Sequence, residues 1–189
     1  MYISNEAFLG APDNIEERTQ KEQEVYSLLK QLNIEFYRAD HDCADTIEAC
    51  KDIEKVLGTQ ICKNLFLCNR QMTDFYLLLI APDKNFRTSV VSKLLGVSRL
   101  SFGNAEYMQS LLGLTPGSVS IFGLMNDKDK KVRLLIDSSI LDSRYFGAHP
   151  CINTSTLRIE VKDLLDKIIP ALNHEPTILS IPTIEVEEL

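Results

Sequence analysis

The sequence predicts a mixed α+β (α/β mixed) domain, and three observations carry that prediction. Strand-like apolar runs alternate with amphipathic helical stripes along the 189 residues. One run, Phe75 to Ala81 (FYLLLIA), is almost wholly apolar, as a strand covered on both faces must be. A content of 44% hydrophobic and 25% charged residues is that of one globular domain, long enough to bury about 70% of its unfolded surface. The expected division is a lead-in over 1–13, a folded body over 14–174 and an acidic tail over 175–189. One central mixed sheet with helices against it is the architecture that such an element order favours.

Each element has its own signal. Asp13 is read as the cap of a helix from about Asn14 to Asn33, where Val25, Leu28, Leu29 and Leu32 form one stripe. Ile34 to Arg38 is a short strand. Asp45 or Thr46 caps a second helix, with Ile47, Cys50, Ile53 and Leu57 on one side and Gly58 as its stop. Ile61 to Cys68 and Asp74 to Ala81 are buried strands joined by the polar turn NRQMT. Thr88 to Leu95 is a helix stopped by Gly96. Arg99 to Phe102 is a brief strand, and Ala105 to Leu112 a further helix. Val119 to Leu124 and Val132 to Asp137 read as strands joined by the charged turn NDKDKK. Gly147 to Thr156 is a loop of small polar residues, and Ser155 to Val161 the last strand. Val161, Leu164, Leu165, Ile168, Ile169 and Leu172 make the cleanest helical stripe. The Pro-interrupted, acidic segment 175–189 is expected to be loose.

Charge and cysteine usage exclude several classes. The net charge of −7 resides in the ends: residues 1–24 and 175–189 each carry −4, and residues 25–174 carry +1. Global charge therefore disfavours non-specific nucleic-acid binding but leaves specific contact with one RNA end open. Five cysteines, an odd number without a CxxC, argue against a disulfide framework and against zinc. No run of 18 apolar residues is present, so no membrane span is expected. The N-terminus lacks a basic n-region and a long apolar core, so no signal peptide is expected, and the expected compartment is the cytoplasm.

Three places could carry chemistry. The segment LTPGSVSIFG has a Pro116-Gly117 turn, and Gly117, Ser118 and Ser120 are small enough to let a ligand approach backbone N–H groups. Its plain alternative is a tight connection between elements. Lys63 opens an apolar strand, where it must snorkel, pair or face a cavity; there it could hold a phosphate or a developing oxyanion. His149-Pro150 sits in a small-residue loop beside Asn153, Thr154, Ser155 and Thr156, as a general base, a hydrogen-bond donor or a structural loop residue. No GxSxG, HExxH, Walker A or GxGxxG motif is present. His41, Asp42, Cys43 and Asp45 could ligate a metal, but four polar residues before a helix fit a cap better, so no metal and no cofactor are expected.

Lys63-Asn64-Leu65-Phe66-Leu67, Leu100-Ser101-Phe102-Gly103, Leu112 to Ser120, and His149-Pro150 followed by Asn153-Thr154 together resemble the YbaK/ProX family, in order and spacing over residues 15–175. That family consists of trans-editing aminoacyl-tRNA deacylases related to an insertion domain of prolyl-tRNA synthetase, and the ProX branch is the most similar. The resemblance implies a partly barrel-like mixed sheet flanked by helices, and hydrolysis of mischarged tRNA(Pro), Ala-tRNA(Pro) above all. It implies catalytic roles for Lys63, Gly117 and His149. It places Ser118, Val119, Ser120, Ile121, Phe122, Asn153 and Thr154 in the substrate pocket, with the tRNA 3′ aminoacyl end as partner and prolyl-tRNA synthetase as a further one. Two departures stand out: Ile121 replaces the usual Pro, and Gly147-Ala148 precede His149 where a bulkier residue such as Phe is common. Both are expected to alter the pocket. Two other readings stay open: a non-catalytic tRNA- or synthetase-binding homologue, and a deacylase of Cys-tRNA(Pro) or another small aminoacyl ester. The oligomeric state is not legible.

Overall fold

The computed structural model describes residues 1–44 and 47–183. Two sheets carry the fold, rather than one central sheet, and neither closes into a barrel. The first comprises β1 (Phe8–Leu9), β2 (Phe36–Asp40), β7 (Tyr145–Ala148) and β8 (Ser155–Glu160), in the order β1-β2-β8-β7 and antiparallel throughout. The second comprises β3 (Lys63–Asn69), β4 (Phe75–Ile80), β5 (Leu100–Phe102), β6 (Val132–Asp137) and β9 (Thr177–Leu179), in the order β5-β3-β4-β6-β9. Its β4–β6 and β6–β9 pairs are parallel.

Alternation along the strands sets the layers. Phe66, Cys68, Leu77, Leu79, Leu134 and Ile136 face the main core, which Phe36, Phe146, Leu157 and Ile159 enter from the other sheet. Leu67, Tyr76, Leu78, Ile80 and Leu135 face the opposite way, under α3 (Thr88–Leu95) with its Val91 and Leu95. All six residues of β4 are buried, as its sequence requires. On the outside of the first sheet, Ile53 and Leu57 of α2 (Ile47–Leu57) pack on Ala39 and Ile61. The main core is closed by α1 (Gln20–Gln31), by α4 (Ala105–Leu112), and by a C-terminal helical run. That run begins as α6 (Val161–Asp163), widens into a π-helical turn Leu164–Ile168, and ends as α7 (Ile169–Leu172). Between β6 and β7 lies the one-turn α5 (Ser138–Leu141).

Backbone hydrogen bonds at Gly147 form a seam between the sheets. Gly147 N donates to Gln60 O at 2.8 Å, and Cys62 N donates to Gly147 O at 3.0 Å. A Cβ on Gly147 would lie 2.8 Å from Gln60 O and 3.0 Å from Ile61 Cα, so only glycine allows this approach. Ala148 is buried in the main core. The Gly147-Ala148 difference is therefore a feature of the seam and the core, not of pocket width.

Several expectations are corrected. The first helix starts at Gln20, because Thr19 and Glu22 form a reciprocal capping box, and Ile15–Glu17 is a separate 3₁₀ turn. Val119 to Leu124 is not a strand: Ser120 caps a 3₁₀ turn over Ile121–Met125. Tyr145–Ala148 is a strand where a loop is expected from Gly147. The segment after 175 is not loose over its described part, since β9 pairs with β6 and Leu179 and Ile181 are buried. The Asp45 or Thr46 cap of α2 lies outside the described residues.

Candidate active site

The seam delivers the start of β3 to the mouth of a cavity of about 510 Å³. Lys63, Gly117, Val119 and His149 all line it, with Ala44, Cys50, Lys51 and Glu54 forming the α2 side and Asp83 the far rim. The three positions that the sequence singles out for catalysis, remote along the chain, thus share one hollow. Sequence reasoning misses the α2 wall and Asp83, which only the tertiary fold brings there.

Lys63 is exposed, and its Nζ donates to Lys84 O at 3.0 Å. That carbonyl is itself anchored. Lys84 Nζ is held by the fully buried Asp137 carboxylate at 2.8–2.9 Å and by Ile181 O at 2.7 Å. The ammonium of Lys63 is thereby fixed at the cavity mouth, with donor capacity left for a ligand.

Gly117 has φ +88°, a left-handed conformation that side-chain-bearing residues rarely adopt. The loop is braced from within: Ser118 Oγ donates to Thr115 O at 2.9 Å, and Ser118 N donates to the same carbonyl at 3.0 Å. Ser120 Oγ donates to His149 O at 2.6 Å and accepts from Phe122 N, which ties the loop to the histidine. The two serine hydroxyls are engaged as braces. Ile121 and Phe122 are fully buried in the main core, because the 3₁₀ turn directs them inward. Their expected place in the pocket is corrected accordingly. The first position of such a turn makes no intra-turn N–H bond, so Ile for Pro changes no hydrogen bond of that kind. Asn153 lies beside Gly117, its Nδ2 3.5 Å from where a Cβ on that glycine would stand, and it donates to Cys43 Sγ. Thr154 is exposed, and its carbonyl accepts from His41 N.

His149 has a fixed tautomer. Its Nδ1 lies 2.9 Å from Ser155 O, and a carbonyl only accepts, so Nδ1 carries the hydrogen. The same logic puts a hydrogen on His41 Nδ1, 2.8 Å from Asp42 O. Thr156 Oγ1 joins the two rings: it donates to His41 Nε2 at 2.8 Å and receives His149 Nδ1–H at 3.2 Å. Among the described residues His149 Nε2 has no partner and keeps its lone pair. Burial pushes the pKa of both histidines below the ordinary range. The unfolded chain therefore takes up protons below about pH 6.5 that the folded chain resists. Stability is held above that pH and falls as pH drops through it, which urea midpoints taken between pH 7.5 and 5 will record.

Thiol chemistry does not fit this cavity, because burial pushes Cys62 up to about 12 and raises Cys50 as well. No group of three or more His, Cys, Asp or Glu suited to a metal occurs among the described residues, and both nitrogens of His41 are engaged. None of the described helices is long and apolar enough to cross a membrane.

The α+β frame thus presents a lysine, a left-handed glycine loop and a neutral histidine to one hollow. The family profile of the aminoacyl-tRNA editing domain matches residues 41–167, and the chain belongs to that family. It is an aminoacyl-tRNA deacylase, an ester hydrolase acting on mischarged tRNA. Among its relatives is the prolyl-tRNA editing protein ProX of Acetoanaerobium sticklandii, 31% identical over 149 residues, covering 79% of this chain and 90% of the relative. Prolyl-tRNA synthetase associated domain-containing protein 1 of Danio rerio is 27% identical over 160 residues, covering 84% and 86%. A solved structure described as a candidate trans-editing enzyme for prolyl tRNA synthetase superposes with a TM-score of 0.65 over 87% of this chain and 99% of the other. At 15% identity, that likeness shows the fold alone.

Proposed function

We propose that the protein clears mischarged tRNA(Pro) in trans, in the cytoplasm, and that alanine is the residue it removes. The convergence of Lys63, Gly117 and His149 on one cavity supports this reading, together with the ProX relative. Lys63 holds a phosphate or ribose oxygen of the terminal nucleotide. Backbone groups of the Gly117 loop receive the aminoacyl carbonyl, whose oxygen gains charge as water attacks. His149 Nε2 accepts a hydrogen from that water. Water oxygen bonds to the carbonyl carbon, the bond from that carbon to the ribose oxygen breaks, and the ribose oxygen recovers a proton. Alanine and intact tRNA leave. An aminoacyl ester is already activated, so positioning and charge stabilisation suffice without a covalent intermediate. Val119 and Asn153, at the Gly117 loop, set the size of side chain admitted, which acts as a second sieve.

The test is a panel of Ala-, Cys- and Pro-tRNA(Pro). Preferential hydrolysis of the alanyl ester is expected. Preference for the cysteinyl ester would keep the chemistry and overturn the specificity. Tight tRNA binding without turnover of any ester would replace the reading with that of a binding module.

If His149 acts through Nε2, its orientation through Thr156 matters. Thr156→Val is expected to lower kcat about tenfold, the worth of one hydrogen bond, with KM little changed. Thr156→Ser should restore it. Steady-state kinetics of all three proteins checks this.

A further inference from the structure

Paired residues on neighbouring strands share a face. Lys63 pairs with Ile80, and Phe102 pairs with Leu67, so Lys63, Leu65, Leu67 and Phe102 lie on the α3 side of the second sheet. Four residue steps along β3 take Lys63 to the Leu67–Phe102 rung, about 13 Å. Phe102 is 62% exposed, on the edge strand, and its ring lies 6.0 Å from that of Phe86 at an interplanar angle of 62°. The chain turns sharply straight after it. Gly103 N donates to Phe66 O at 2.9 Å, and a Cβ on Gly103 would lie 2.4 Å from the Phe66 ring, so glycine is what lets the chain turn there.

The surroundings are cationic. From Lys84 to Ala105 the sequence has Lys84, Arg87, Lys93 and Arg99 and no acidic residue, in a chain of net charge −7. Arg87, Lys93 and Arg99 are exposed and make no ion pair among the described residues. Arg87 follows Phe86 directly, and Arg99 immediately precedes β5. The strip is continuous with the cavity mouth, because Lys63 is bonded to Lys84, two residues before Phe86. Asp83 is the acidic residue at its start, on the cavity rim.

An exposed aromatic ring backed by a half-buried one, with exposed unpaired cations close by in sequence and an anion-holding lysine along the same sheet face, suits single-stranded nucleic acid: bases stack, and phosphates follow the charge. Resting on the reading that the cavity takes the aminoacylated 3′ end, we infer that Phe102 and Phe86 form a stacking platform for the unpaired nucleotides preceding that end, with Arg87 and Arg99 on their phosphates. The cavity takes the terminal nucleotide and its ester. The platform holds the strand a few nucleotides back.

The test separates platform from cavity. A fluorescent single-stranded RNA ending in CCA, with no amino acid, is titrated against wild type, Phe102→Leu, Phe102→Ala and the Arg87→Gln/Arg99→Gln pair. Hydrolysis of Ala-tRNA(Pro) is measured beside that of alanyl-adenosine, which is too short to reach Phe102. Phe102→Leu keeps an apolar surface without a ring and is expected to weaken RNA binding about tenfold. The arginine pair should flatten the salt dependence. For Phe102→Leu, KM for Ala-tRNA(Pro) should rise with kcat kept, and alanyl-adenosine turnover should persist. Unchanged RNA binding in Phe102→Leu and Phe102→Ala would overturn the platform. So would an equal loss on both esters, which marks a fold effect, or loss of self-association on gel filtration with RNA binding intact, which marks a protein interface. Phe102-dependent RNA binding by a wild type that hydrolyses neither ester would keep the platform and overturn the cavity reading.

Discussion

Lys63→Ala is expected to lower the second-order rate of Ala-tRNA(Pro) deacylation by about 10² or more, the scale for loss of one preorganised charge-stabilising group. Lys63 is exposed and opens a strand, so the protein should fold and melt as wild type. Its Nζ is positioned by the Lys84 carbonyl, so the same charge carried on a different donor geometry does not replace it. Lys63→Arg presents a wider planar fork to that carbonyl and should recover little. Single-turnover hydrolysis, with thermal melts alongside, checks both variants. Wild-type rates in Lys63→Ala would remove Lys63 from the mechanism.

Asp137→Ala should be the most damaging single change to stability. The carboxylate is fully buried and accepts from Lys84 Nζ, from Ser139 Oγ at 2.6 Å and from Ile181 N at 3.3 Å. Removing it leaves a largely buried ammonium without its counter-charge, at a cost of about 3–5 kcal/mol. For a chain of this length that lowers Tm by about 10 °C. The double variant Asp137→Leu/Lys84→Met deletes both charges and should recover much of the loss, since an apolar pair of similar volume often replaces a buried ion pair without penalty. Calorimetry of the three proteins provides the check. Deacylation should suffer as well, because the Lys84 backbone that holds Lys63 moves when its side chain is released.

Local signals read well where local physics decides. Gly96, left-handed, ends α3 where the glycine stop signal puts it, and α4 ends at Leu112 as its pattern predicts, with the left-handed Gly113 as its cap. The apolar run of β4 announces a strand covered on both sides. Elsewhere, tertiary contacts override the pattern. The apolar stretch Ile121 to Leu124 looks like a strand because it is buried; Ser120, bonded to His149, curls it into a 3₁₀ turn. Tyr145–Ala148 carries the glycine that suggests a loop, whereas that glycine serves the seam between the sheets. Thr177–Leu179 is a strand only because β6 offers an open edge. The cavity divides in the same way. Lys63, Gly117 and His149 are marked by unusual residue choices in their own segments. His41, Thr156 and the α2 wall gain their places through contacts remote in sequence, and nothing beside them marks it.

β9 and Ile181 tie the end of the fold to the cavity mouth. The Ile181 carbonyl grips Lys84, whose own carbonyl grips Lys63. Residues 177–181 are synthesised after every other part of the two sheets. Until they emerge from the ribosome, β6 has an open edge and Lys84 lacks one of its two anchors. The order of the cavity mouth thus depends on a strand made after both sheets are otherwise complete, and a chain lacking β9 would keep only the Asp137 anchor of Lys84.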